Sequence, residues 1–334
     1  MPETMNSSQA VDLIVVERNG FIESRHSGVA VAVDASGKIL TALGDPHGLV
    51  YPRSTLKPFQ AMASMQSGVP LRGAEVALAC ASHIGSAEHM ELAKIMLAKA
   101  KVSVDDLQCP EAWSAHESTR IDQVLDGEGK SKLAFNCSGK HAAFLWACTE
   151  NGWDTKTYLS PEHPLQQRVI EVVEEYAGEK ISHLGVDGCG APVPVISLAG
   201  LARAVSKLAQ APGSKHSDAR AATIATAMLD YPWAVQGHDM PNTLVMEDLG
   251  VIAKLGAEGV LVLAAPNGTA VAVKMLDGAG RGADILGLTL LAHAGAINAE
   301  QLAGILAKIS RPILGGAAPV GSVRLADSVV ELLD

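Results

Sequence analysis

Residues 54–57 read Ser54-Thr55-Leu56-Lys57, opened by Tyr51-Pro52-Arg53 and closed by Pro58. A serine three residues ahead of a lysine shares a helical face with it, and this S-x-x-K spacing is one way to activate a serine nucleophile without histidine. A hydroxyl attacks poorly near neutral pH until a base takes its proton, and a desolvated lysine can be brought into that role. The spacing alone is common. The same four residues suit a helix start in which Ser54 or Thr55 caps and Lys57 is a solvated charge.

Three further clusters carry chemistry. Ala79-Cys80-Ala81-Ser82-His83-Ile84-Gly85 places a second hydroxyl where a helix of small apolar residues gives way to a loop. Ser82 there suits contact with a substrate or a proton relay, or else capping of the helix that Ser86 and Glu88 announce. Phe135-Asn136-Cys137-Ser138-Gly139-Lys140-His141 and Val186-Asp187-Gly188-Cys189-Gly190-Ala191-Pro192 each set a cysteine in a small-residue turn, and flanking glycines allow close approach of a ligand. Two thiolates are too few for a structural zinc, so a metal there needs a third protein ligand plus water; His141, His83, Asp187 or the Lys140 amine are the choices. Buried cysteines that serve only as small hydrophobes are the alternative. In Ile252-Ala253-Lys254-Leu255-Gly256, a lysine two residues ahead of glycine matches the K-[ST]-G element that accompanies S-x-x-K in penicillin-recognising serine enzymes, with Leu255 in the hydroxyl position. A second ammonium beside the first lysine would depress the pKa of Lys57 by like-charge repulsion.

These residues must be positioned by elements that the sequence marks out. Val11–Val16, Phe21–Ser24, Gly28–Val33 and Lys38–Leu43 are β-prone runs separated by Asn19-Gly20 and Asp34-Ala35-Ser36-Gly37, which predicts an antiparallel meander. Helical periodicity follows over Thr55–Ser67, Gly73–Ala81, Ser86–Ala100, Glu117–Gly127, Lys140–Thr149 and Pro164–Tyr176. A Pro-bearing segment at Ala191–Leu208 leads into another helix, and His216–Met228 is a further one. Pro266-Asn267-Gly268 joins two more β-prone runs, Gly259–Ala265 and Thr269–Met275, and helices Ala283–Ala294 and Ala299–Ala307 are expected to close the chain. Strands near both termini with helices between them predict an α+β fold: one antiparallel sheet assembled from both termini, flanked by helices, with a helical middle region. Lacking repeats and low-complexity linkers, residues 1–334 are expected to form a single domain with a helical insertion over approximately 55–180.

Composition narrows the function. A net charge of −10 leaves no basic stripe for nucleic acid or for an anionic membrane surface, so a small polar substrate fits better. The polar start Met1-Pro2-Glu3-Thr4 has neither the basic nor the apolar region of a secretory signal, and no apolar run reaches bilayer length; a cytoplasmic location is expected. Five cysteines, an odd count without a regular framework, point to free thiols, ligands or catalytic groups rather than staples.

Taken together, the segments Glu23–Gly28, Tyr51–Gln60, Cys80–His83, Asn136–His141, Asp187–Pro192, Ala253–Gly259 and Val273–Arg281 resemble the L-asparaginase II family, the thermolabile rhizobial type. The resemblance runs over nearly the whole chain and is specific as a set. It implies a fold similar to serine β-lactamases and serine-dependent glutaminases, hydrolysis of L-asparagine to L-aspartate and ammonia, and a homodimer. Carried over by position, Ser54 is the nucleophile and Lys57 its base, with Ser82 and Lys254 a second Ser-Lys pair and Lys274 a rival for that lysine. Cys137, Lys140 and Cys189 would bind a zinc ion with Asp187 beside it, and Arg53, His83, Asp187 and Gly188 would face the substrate. Competing readings are a glutaminase, another serine amidohydrolase of the penicillin-recognising type, and a catalytically silent amino-acid sensor.

Overall fold

The computed structural model describes residues 3–333. Its first hairpin joins β1 (Val11–Arg18) to β2 (Phe21–Val33) through Asn19 and Gly20, whose φ angles of 50° and 77° are the left-handed pair that a tight hairpin turn needs. The sequence predicts two short runs within β2, but the chain runs straight through Arg25, His26 and Ser27. These residues pair with Val15, Ile14 and Asp12, and a bulge at Leu13 in β1 takes up the change of register. β3 (Ile39–Leu43) continues along the same edge of β2, while β9 (Ala270–Met275) pairs with the other edge. The hairpin predicted at Pro266-Asn267-Gly268 joins β9 to β8 (Val260–Ala264), with Gly268 at φ 90°.

Three strands of this sheet lie outside the predicted sheet elements. β7 (Ile252–Gly256) pairs with β8 and carries Lys254 at its centre, where the sequence suggests a lysine just before a strand. β10 (Ile313–Gly315) and β11 (Ala318–Leu325) follow the helix Ala299–Ile309, so that helix does not close the chain. The sheet order is β10-β11-β1-β2-β9-β8-β7, antiparallel at every pairing, with helices packed against it: an α+β arrangement built from both terminal regions. A small second sheet holds β4 (Leu49–Val50), β6 (Pro192–Ser197) and β5 (His183–Val186), in that order. Pro192 and Pro194 are tolerated in β6 because β4 reaches only Ile196 and Ser197, leaving the prolines on an unpaired edge.

Between the sheet strands run the helices Lys57–Gln66, Ala74–Ala79, Ala87–Lys99, Glu117–Leu125, Ser138–Asn151 and Pro164–Ala177. Their ends follow local chemistry: a Ser86–His89 capping box starts one, His163 with Pro164 starts another, and Gly152 and Gly178 stop two in the left-handed conformation. Every residue from Ser138 to Cys148 is buried, so this helix is a central post of the core. It approaches the helix Ala74–Ala79 so closely that a Cβ on Gly139 would lie 2.6 Å from the Leu78 carbonyl oxygen. Gly139→Ala is therefore expected to lower stability by about 1–3 kcal/mol through overpacking. Denaturant unfolding checks this, and an unchanged midpoint would mean that the two helices separate freely.

Candidate active site

Ser54 sits in the 3₁₀ turn Arg53–Leu56, which runs directly into the helix Lys57–Gln66. The Thr55 hydroxyl donates to the Pro52 carbonyl at 2.8 Å and tightens the turn, and three residues per turn set Ser54 and Lys57 on one face. Arg53 enters at φ 54°, a strained value for a residue with a Cβ, and is pinned by its Nε donating to Asp187 Oδ1 at 2.7 Å. Lys57 is 1% exposed, yet its amine does not turn to Ser54. Nζ donates to the Ala81 carbonyl, to Ser82 Oγ at 3.0 Å and to the Asn136 carbonyl at 3.2 Å. Three acceptors use all three protons of an ammonium.

Ser82 does not cap the following helix; Ser86 does. Backbone bonds from Ser82 to Val235 and from Ile84 to Gln236 fix its loop, and Lys254 Nζ lies 2.7 Å from Ser82 Oγ and 2.7 Å from the Leu255 carbonyl. Lys254, also 1% exposed, is held well below the ordinary lysine pKa, first by burial and then by the charge of Lys57. Once its extra proton is shed, the Lys254 amine would still donate to Leu255 and could turn a lone pair to the Ser82 hydroxyl, which accepts from Lys57. Leu255 needs no hydroxyl for this, because its backbone carbonyl serves. Lys274 is elsewhere, donating to the carbonyls of Glu258 and Met275 at 2.6 and 2.8 Å.

The cysteine turns meet as well. Cys137 precedes the helix that presents Lys140, and Lys140 Nζ lies 3.0 Å from Cys189 Sγ. A hydrogen bond with Cys189 sets Cys137 well below the usual thiol pKa against the opposing effect of burial, while the same bond and burial raise Cys189. Burial works to discharge Lys140, but its interactions with Cys189 and Cys137 outweigh it and raise its pKa. Asp187 stays below its ordinary value despite burial because Arg53 and Lys140 face it. Among the described residues no three His, Cys, Asp or Glu side chains gather as a metal cage, so any ion here uses the lysine amine beside the two sulfurs. All five cysteines are free.

Against this geometry, the sequence pattern described as L-asparaginase II matches residues 14–325. The chain belongs to the L-asparaginase II family. No curated protein matches the chain. Similar solved structures include Mglu in its native form, at 14% identity over 81% of this chain and 64% of that one, with a TM-score of 0.44. The asparaginase II chain thus spans less than two thirds of that structure's length. A β-lactamase from Mycobacterium bovis is 15% identical over 81% of this chain and 95% of its own, with a TM-score of 0.44.

The remaining expected site residues of the asparaginase II chain take distinct places. Arg53, Asp187 and Gly188 form one corner, with the Gly188 N–H donating to Asp187 Oδ1 at 2.9 Å. His83 is turned inward: Nδ1 accepts from the Gly85 N–H, Nε2 meets Ser138 Oγ at 2.9 Å, and the ring stacks on His89. Burial, then His89 and Lys57, hold its pKa well below the usual histidine value. It acts on the site by holding the loop after Ser82 to the start of the Cys137 helix. The two clusters share a border, since Lys57 reaches Asn136 beside Cys137 while Arg53, beside Ser54, reaches Asp187 beside Cys189. Asn136, Ala81 and Leu255 act through backbone carbonyls, a role that side-chain identity does not advertise. A hollow of about 390 Å³ lined by Asn242, Leu255, Glu258 and Asp284 includes neither serine nor either lysine. No helix among the described residues is long and apolar enough to cross a membrane.

Proposed function

We propose that the protein hydrolyses L-asparagine to L-aspartate and ammonia through an ester on Ser54. The observation that carries this reading is the Ser82 hydroxyl held between the amines of Lys57 and Lys254, with Lys57 one helical turn after the partly exposed Ser54. Ser54 Oγ bonds to the side-chain amide carbon, the C–N bond breaks, and the proton from Ser54 leaves with the amide nitrogen as ammonia. Water then cleaves the ester, its proton returning to Ser54. In this scheme Lys254 is the resting base, acting through Ser82, and Lys57 is the fixed positive charge that stabilises the developing oxyanion and holds Ser82 in place. This revises the division of labour that the S-x-x-K spacing suggests, in which Lys57 is the base.

Two thiols and an amine brought within reach of one another fit a zinc ion, with Cys137, Lys140 and Cys189 as ligands. Bound there, zinc would supply a positive centre for the α-carboxylate or α-amino group of the substrate. Lys140 must shed its proton to coordinate, so loading is expected to weaken in acid. Arg53 and Asp187 offer opposite charges to the two ends of an amino acid.

Ammonia release from asparagine, glutamine and β-aspartyl peptides tests the reading. Asparagine is expected to give the highest kcat/KM, and glutamine, one methylene longer, a 10- to 200-fold lower value, the size that one methylene commands in a fitted pocket. Faster turnover of glutamine, or none of asparagine, would overturn it. Elemental analysis is expected to find about one zinc per chain in the wild type and none in the Cys137→Ser/Cys189→Ser double variant. Equal metal content in both would remove zinc from the site.

A further inference from the structure

His141 follows the proposed ligand Lys140 and is fully buried, yet nothing above gives it a role. Its Nδ1 lies 2.7 Å from the Tyr158 hydroxyl, and that hydroxyl also accepts the backbone N–H of Gln108 at 2.9 Å. A backbone N–H can only donate. Of the two partners of this fully buried hydroxyl, only Nδ1 can accept its hydrogen, which makes Nδ1 the acceptor and puts the hydrogen of the neutral ring on Nε2. Nε2 is buried without a well-formed hydrogen bond. The side chains of His141 and Cys189 are nevertheless neighbours. A buried N–H left unpartnered is costly, so an orphan donor beside a thiol is a feature that needs an account.

The account comes from Lys140. Without a metal, Cys189 Sγ has the Lys140 amine as its donor at 3.0 Å. If Lys140 and Cys189 both bind zinc, the lysine lone pair turns to the ion and that hydrogen bond is surrendered. The thiolate then needs a new donor, and the unpartnered His141 N–H is beside it. We infer that His141 is a positioning residue for the metal centre, locked by Tyr158 and Gln108 in the tautomer that donates Nε2–H to the Cys189 thiolate. The inference rests on the zinc reading above and extends it to the outer shell, where such partners orient ligands and typically govern 10- to 100-fold in metal affinity.

Zinc affinity measured by chelator competition, in wild type and His141→Phe, is the test; phenylalanine keeps the ring and removes the N–H. The variant is expected to bind zinc 10- to 100-fold more weakly. Its metal-free thermal stability should fall below that of wild-type apoprotein, since the same change removes the Nδ1 acceptor of the buried Tyr158 hydroxyl. His141→Gln, which restores a side-chain N–H, should recover part of the affinity. Nitrogen-15 NMR of the wild-type ring should show Nε2 protonated in the apoprotein and its resonance displaced on adding zinc. Equal affinities in wild type and His141→Phe overturn the assignment alone, and a wild type that binds no zinc removes the metal reading and this assignment together. Should the phenylalanine variant fail to fold, the NMR arm decides: a ring protonated on Nδ1, or an Nε2 signal unmoved by zinc, overturns the inference.

Discussion

Ser54→Ala is expected to abolish turnover of asparagine, with kcat falling at least 10³-fold, while the unfolding midpoint stays within about 0.5 kcal/mol of wild type. Ser54 is only half-buried, and its turn is held by Thr55 and by the Arg53–Asp187 pair, so removing one hydroxyl leaves no hole and breaks no support. Without that oxygen no ester can form, and what the lysines and backbone donors retain is charge stabilisation alone. Retention of more than about a tenth of wild-type kcat/KM, a loss under roughly 1.4 kcal/mol, would show that another group attacks. Ser82→Ala separates the two serines. If Ser82 is the attacking oxygen it alone will be essential, whereas a relay role leaves Ser82→Ala impaired but measurable and Ser54→Ala inert.

Lys254→Met should remove activity to a similar extent and yet make the fold more stable. Burial and Lys57 hold the folded-state pKa of Lys254 far below 10.5, its ordinary value. Between the two values the unfolded chain binds a proton that the folded chain does not, so wild-type stability gained from this group rises with pH. It is fully present only above about pH 10.5 and is lost progressively as pH falls toward the folded value. Methionine keeps the bulk and carries no such dependence. The stability advantage of the variant should therefore be greatest in neutral to acidic buffer and narrow toward pH 10–11, as thermal unfolding across that range will read. A variant less stable than wild type at pH 7 would mean that Lys254 is charged in the fold. The same electrostatics govern turnover: any activity left in Lys57→Met should show its acid limb at higher pH, because the neighbouring charge that keeps Lys254 neutral has gone.

Turns and special residues made much of the architecture readable. Asn19-Gly20 and Pro266-Asn267-Gly268 announce hairpins by local backbone demands, and the structure has both. β10 and β11 were not legible because Gly315, Gly316, Pro319 and Gly321 dilute any alternation, and β11 exists by pairing with β1, a partner some 300 residues away. The choice between Lys254 and Lys274 was closed to sequence for a different reason. Lys254 pairs through Val262 to Ala272, two residues from Lys274, so both lysines face the same side of the sheet. Parity admits either; position along the strands places one at Ser82 and the other at the Glu258 turn. The motif spacing brought Ser54 and Lys57 to one face, but which acceptor the lysine amine chooses depends on the Ala81 and Asn136 carbonyls, delivered by two other segments.

The pairing of β1 with β11 also bears on how the chain is made. Ile14 finds Leu325 across the sheet, and 311 residues separate them in the chain. At about 5–20 residues per second, a ribosome that has released β1 supplies its second partner roughly 15–60 s later. For that interval the β1 edge is an open template, and a sheet so dependent on distant pairings closes slowly by its topology. Lys254 belongs to the late part of the sheet as well, so the nascent chain carries Ser54 for nearly 200 residues of synthesis without its base. Chemistry and completion of the fold arrive together, and newly made protein stands to depend on chaperones that shield a single strand edge.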